Sequence, residues 1–183
     1  MQIKDGILDG ARQLASPNCD MRPDDEISLL VIHNISLPPG EFGGPWIDDL
    51  FTNRLDPSAH DYFRDIHALR VSSHVLIRRD GELVQYVPFQ QRAWHAGESN
   101  FDGRPCCNDF SIGIELEGTD DIPYTYAQYT QLAKVIRLLQ KDYPHLGRES
   151  ITGHSTIAPG RKTDPGDAFD WEKLWQLLDK ETS

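Results

Sequence analysis

The stretch ITGHSTIAPGRKTDPG, Ile151 to Gly166, holds an imidazole, an ammonium and a carboxylate: His154, Lys162 and, ten residues after the histidine, Asp164. Its prolines and glycines exclude a long regular element. Asp164 directly precedes Pro165, which biases its backbone to an extended conformation. A second imidazole, His33, stands at the end of the apolar run SLLVIHN. Two imidazoles and one carboxylate suit Zn²⁺, which accepts nitrogen and oxygen donors and can keep its fourth position for water. The three residues are far apart in the chain, so spacing alone does not join them. On residue type His74 is a rival ligand, whereas His60, His67 and His145 have no partner nearby in sequence and read as structural or exposed.

Two further residues could act beside such a metal. Glu115 lies inside the strand-like run FSIGIELEG, where a buried carboxylate is costly unless it has a partner or a task. Its face is either wet, or Glu115 is a general base whose pKa is set by burial and charge. Lys162 is either a solvated neighbour of Arg161 or, if the loop folds back on the metal, a cation that stabilises an oxyanion.

The elements that must position these groups can be read from pattern. Ser28–Asn34 reads as a buried strand ending at His33, and Ile151–His154 as a short strand. Leu37–Pro45 cannot hold a regular element, and the glycines between its prolines suggest a mobile loop that borders a pocket and closes as a lid. Helical fragments are expected at Trp46–Phe51 and Ser58–Ile66. VSSHVLIRRDGELVQYV reads as a hairpin on a two-residue Asp80-Gly81 turn, with His74, Leu76 and Arg78 on one face and Ser73, Val75 and Ile77 on the other. Strand Phe110–Gly118 should set Phe110, Ile112, Ile114 and Leu116 opposite Ser111, Gly113, Glu115 and Glu117. Thr125 and Gln128 have capping-box spacing ahead of a helix with Tyr129, Leu132, Ile136 and Leu139 on one face, stopped by Pro144. Asp170 can cap a last helix that buries Trp171, Leu174 and Leu178. Strands and helices alternate, which predicts one α/β domain over residues 1–183 with a mixed central β-sheet flanked by helices.

Bulk properties set limits on partners. The 183 residues are 38% hydrophobic and 26% charged, an ordinary globular composition. A formal net charge of −11 argues against general binding to nucleic acid or anionic membrane. Cys19, Cys106 and Cys107 are a poor disulfide framework and read as reduced thiols. The N-terminal MQIKDGILDGARQL has neither a basic start nor an apolar run, and no segment approaches the ~20 apolar residues of a membrane span. The expectation is a cytoplasmic protein with no obligate protein partner evident.

Five segments, LLVIHNISLPPGEFGG, RVSSHVLIRRDGELVQYVP, RAWHAG, CNDFSIGIELEG and GHSTIAPGRKTDPG, together resemble the zinc N-acetylmuramoyl-L-alanine amidases. Within that family they are most similar to the cytoplasmic AmpD-type branch, whose substrates are 1,6-anhydro-muropeptides; the fold is related to that of peptidoglycan recognition proteins. The resemblance runs from about Ser16 to Trp171. It implies His33, His154 and Asp164 as zinc ligands, Glu115 as the catalytic carboxylate and Lys162 as the lysine beside the aspartate ligand. The implied reaction is hydrolysis of the amide between the lactyl group of 1,6-anhydro-N-acetylmuramic acid and L-alanine. In wall recycling this would remove muropeptides that signal for β-lactamase induction. Asn34, Trp94 and His95 are expected as pocket walls, and Arg70 and Arg104, with Arg161 the weaker, as cations for the anionic peptide. Cys106 stands where some relatives carry a basic residue. A broader periplasmic or secreted wall amidase is one alternative and a non-catalytic peptidoglycan-binding module another. The leaderless N-terminus and the full set of ligands, Glu115 and Lys162 weigh against each in turn.

Overall fold

The computed structural model describes residues 1–180. Its frame is a six-stranded sheet of β1 (Arg12–Gln13), β2 (Leu29–Ile35), β3 (Val75–Ile77), β4 (Leu83–Gln85), β5 (Ser111–Glu117) and β6 (Ile151–Gly153), in the order β6-β2-β5-β3-β4-β1. β5 pairs in parallel with β2 and β3, and β6 joins β2 in parallel. β4 turns back antiparallel to β3, and β1 runs parallel to β4. This is the expected mixed sheet. β5 is buried at every position, which suits an inner strand covered on both faces.

The helices are α1 (Trp46–Phe51), α2 (Phe63–Ile66), α3 (Tyr126–Asp142), α4 (His154–Ile157) and α5 (Trp171–Asp179). On one face of the sheet Leu30, Ile32, Val75, Ile77, Ile112, Ile114 and Leu116 meet Leu132, Ile136 and Leu139 of α3 and Leu174 of α5. The capping box forms: the Gln128 amide donates to Thr125 Oγ1 at 3.1 Å and the Thr125 amide to Gln128 Oε1 at 3.0 Å. The Gln128 side-chain amide then donates to the carbonyls of Ile77 and Glu117, which ties the start of α3 to β3 and β5.

The other face carries two apolar clusters. Leu76, Val84 and Tyr86 pack against Ile47, Leu50, Phe51 and Phe63, while Leu29 and Val31 pack against Ala96, Cys107, Phe110 and Ile157. Along β2, His33 falls between Val31 of one cluster and Ile35 beside the other. A polar seam thus crosses this face near the carboxyl ends of the parallel strands, where open α/β sheets commonly bind ligands.

Four local expectations are corrected. The hairpin turn has three residues, Arg79–Gly81: Gly81, at φ 92°, donates its amide to the Arg78 carbonyl, and Arg78 donates to Glu82. This is the longer turn with a left-handed third residue. Phe110 leaves the face of Ile112 because its backbone, at φ −127° and ψ 10°, breaks the alternation, and its ring joins the Ile157 cluster. His154 begins α4 rather than ending β6. Only Phe63–Ile66 of the expected Ser58–Ile66 helix forms, since the Ser58 amide and hydroxyl both close on Asp56 Oδ1, a local bond that competes with helix. Among the described residues no helix is long and apolar enough to cross a membrane.

Candidate active site

Parallel pairing sets His33 of β2 beside Glu115 of β5 in direct register, so both side chains enter the polar seam. β6 runs alongside β2, and the chain turns into α4 at His154. The loop after α4 then folds back, with the Ser155 amide donating to the Asp164 carbonyl at 2.9 Å. Three elements therefore deliver three donor atoms to one point. His33 Nδ1 lies 3.0 Å from His154 Nδ1 and 3.1 Å from Asp164 Oδ2, and His154 Nδ1 lies 3.0 Å from Asp164 Oδ2. All three residues are buried.

This triangle suits a cation. His154 Nε2 lies 3.1 Å from the Ala96 carbonyl, which can only accept, so Nε2 carries the proton and Nδ1 presents a lone pair. Burial works against ionisation of Asp164, but its close approach to the imidazoles of His154 and His33 outweighs that and holds the carboxyl well below its ordinary range. A lone pair and a carboxylate oxygen meeting at hydrogen-bond distance repel each other unless positive charge lies between them. Burial also keeps His33 neutral, lowering its pKa to about 4 although Asp164 pulls the other way. Neutral imidazole is the form that binds metal.

Glu115 is buried, and its Oε2 has no hydrogen-bond partner among the described residues. Burial first, and then the charge of Asp164, push its carboxyl well above the ordinary range, while Lys162 works in the opposite direction. Exposed Lys162 lines the same cleft of about 370 Å³ as His33, His154, Asp164 and Glu115. One wall of this cleft is apolar, made of Ile35, Leu50, Phe51, Tyr62, Leu69 and Val71.

The other expected residues divide. Asn34 and Trp94 line the cleft; Asn34 Nδ2 donates to Asp120 at 2.8 Å and the Trp94 indole to Asp20 at 3.3 Å. His95 also lines it but sits behind His33, with Nδ1 2.9 Å from His33 Nε2. Arg70 lies between the lining residues Leu69 and Val71, yet its guanidinium donates to the carbonyls of Ala68 and Leu69. Arg104 is not brought to the cleft: it pairs with Glu26 at 2.8 Å and stacks over Phe110. Arg161 is spent on the carbonyls of Ala96 and Glu98. His74 does not join the donor triangle. Its Nδ1 accepts from the Gly113 amide and its Nε2 faces the Gln91 carbonyl.

Two contributions escape a reading of the sequence. The Ala96 carbonyl is backbone, which no side-chain pattern reveals. Tyr62 and Leu69, exposed at the cleft, lie within and just beyond the expected Ser58–Ile66 helical fragment, where no motif marks them as lining a cleft.

The chain is similar in sequence and fold to known proteins. The family model described as N-acetylmuramoyl-L-alanine amidase matches residues 23–167. The 1,6-anhydro-N-acetylmuramyl-L-alanine amidase AmpD of Escherichia coli K12 is 63% identical, with both chains covered in full. A crystal structure of a selenomethionine AmpD derivative superposes with a TM-score of 0.95 at 62% identity, over 97% of this chain and 99% of that one. The E. coli amidase AmiD, in complex with anhydro-N-acetylmuramic acid-L-Ala-D-γ-Glu-L-Lys, superposes with a TM-score of 0.59 at 30% identity, over 96% of this chain and 65% of that one. On the family match over most of its length and the full-length identity to the E. coli AmpD, the chain belongs to the N-acetylmuramoyl-L-alanine amidase family.

Proposed function

We propose that residues 1–183 form a single zinc amidase domain that hydrolyses the amide between the lactyl group of 1,6-anhydro-N-acetylmuramic acid and L-alanine in cytoplasmic muropeptides. The observation that carries this reading is the convergence of His33 Nδ1, His154 Nδ1 and Asp164 Oδ2 beside the unpartnered carboxylate of Glu115. Those three atoms would hold Zn²⁺. When bound, zinc supplies Lewis acidity, lowering the pKa of a water and taking up developing negative charge. Glu115 accepts the proton of the attacking water and returns it to the leaving alanine nitrogen. Lys162 places an ammonium where the carbonyl oxygen gains charge.

The apolar wall and Trp94 offer stacking surface for the anhydro-sugar, and Asn34 a polar contact. The name of the E. coli relative supports the anhydro form, as does the ligand in the AmiD complex. Three unpaired cysteines accord with a reducing compartment.

The test is zinc stoichiometry together with turnover of an anhydro-muropeptide, run beside intact wall. His33→Ala and Asp164→Ala should lose zinc and activity together. Full turnover after complete chelation would sink the reading, and equal rates on intact wall would replace it with a broader wall amidase.

A further inference from the structure

A histidine ligand offers two ring nitrogens, and a metal site works only if the intended one carries the lone pair. His154 is set by the Ala96 carbonyl. His33 has no carbonyl in that place. Its Nε2 instead meets Nδ1 of His95 at 2.9 Å, and His95 Nε2 meets Ser111 Oγ at 3.0 Å.

His95 is held for this contact from several sides. Asn108 Oδ1 accepts both the His95 amide at 3.1 Å and the Ala96 amide at 2.8 Å. One side chain thereby fixes the backbone that supplies the His95 ring and the Ala96 carbonyl. The ring lies flat on β5 at Gly113, where a Cβ would come within 2.5 Å of His95 Cγ. Arg22, buried below, donates to the Ser111 carbonyl at 2.7 Å and steadies the far end of the chain.

We propose that His95 is a positioning residue: it accepts the Nε2 proton of His33 and so turns the Nδ1 lone pair of His33 toward the metal. Its own tautomer is set in turn, since His95 Nε2 donates to Ser111 Oγ. Second contacts of this kind orient a ligand and are typically worth about 10–100-fold in metal affinity. The inference deepens the zinc reading above and rests on it.

The experiment uses the zinc-loaded protein. Zinc affinity is measured by competition with a chelator, and the ring N–H of His33 is followed by ¹⁵N-resolved NMR. The wild type should show a slowly exchanging Nε2–H on His33. His95→Ala should bind zinc about 10–100-fold more weakly and lose that protected proton. His95→Asn, which keeps an acceptor near the Nδ1 position, should recover most of both. If His95→Ala fails to fold, Ser111→Ala gives the answer, because it removes only the partner of His95 Nε2 and should speed exchange of the His33 proton. Wild-type affinity with an unchanged His33 signal in a folded His95→Ala or Ser111→Ala protein would overturn the proposal. A wild type that binds no zinc would instead overturn the reading beneath it.

Discussion

Glu115 combines two costs that only a function explains: it is buried, and it faces the like charge of Asp164. Its raised pKa means that the folded protein holds a proton where the unfolded chain would release it. Stability therefore falls as pH rises from the ordinary glutamate range through the native pKa. Metal-free Glu115→Gln should then melt higher than metal-free wild type at pH 8, and the gap should close at pH 4, as thermal denaturation at the two values would show. The same variant should keep zinc and lose most turnover; loss of zinc would make Glu115 a ligand. Lys162 lowers the Glu115 pKa, so removing the cation must raise it. In Lys162→Met the acid limb of kcat/KM should move to higher pH, and the plateau should drop by about 10²–10³. An unmoved limb would mean that the two charges do not sense each other in the working enzyme.

Among the elements, β5 is the one on which the site depends most closely. It sets Glu115 against His33 by register, and it leaves Gly113 bare so that the His95 ring can lie against the backbone. Gly113→Ala should cost about 1–3 kcal/mol in a denaturant titration, and it should weaken zinc binding by displacing His95. A stability loss with unchanged zinc affinity would separate the ring from the metal site. The loop after β2, which its glycines suggest is a lid, is held at its far end by hydrogen bonds. Leu37 and Pro39 do border the cleft, but Phe42–Pro45 line a separate hollow with Arg12 and Arg79. There Glu117 accepts the Gly43 amide at 2.7 Å, and Arg78 donates to the Gly44 carbonyl at 2.9 Å. The Gly43 amide should thus be protected from hydrogen exchange with or without product, and Glu117→Ala should expose it. Protection that appears only with product would restore the lid.

At the scale of the molecule, zinc held as proposed would add to folding stability, because the unfolded chain does not bring three such distant residues together. Zinc at a hundred times its dissociation constant adds about 2.7 kcal/mol, which for a chain of this size shifts Tm by roughly 5–10 °C. Chelation should lower Tm by that amount in wild type and leave His154→Ala unchanged. Equal shifts in both would place the metal elsewhere.

Much of this was legible in one dimension. Strand and helix patterns, the capping box at Thr125 and the match of five ordered segments to a family depend on local chemistry or on the order of residues. They pointed to the fold and to His33, His154, Asp164, Glu115 and Lys162 as a group. What the chain order leaves open is which atoms meet. His33 lies inside one strand and His74 directly before another, yet Gly113 and Gln91 occupy both nitrogens of His74, while His33 keeps Nδ1 for the donor triangle. Arg104 and Arg161 have the charge to bind an acidic peptide, but Glu26 and two backbone carbonyls reach them first. The difference is physical: propensity acts between neighbours in the chain, whereas hydrogen-bond partners are assigned by strand register and by loops folding back from dozens of residues away.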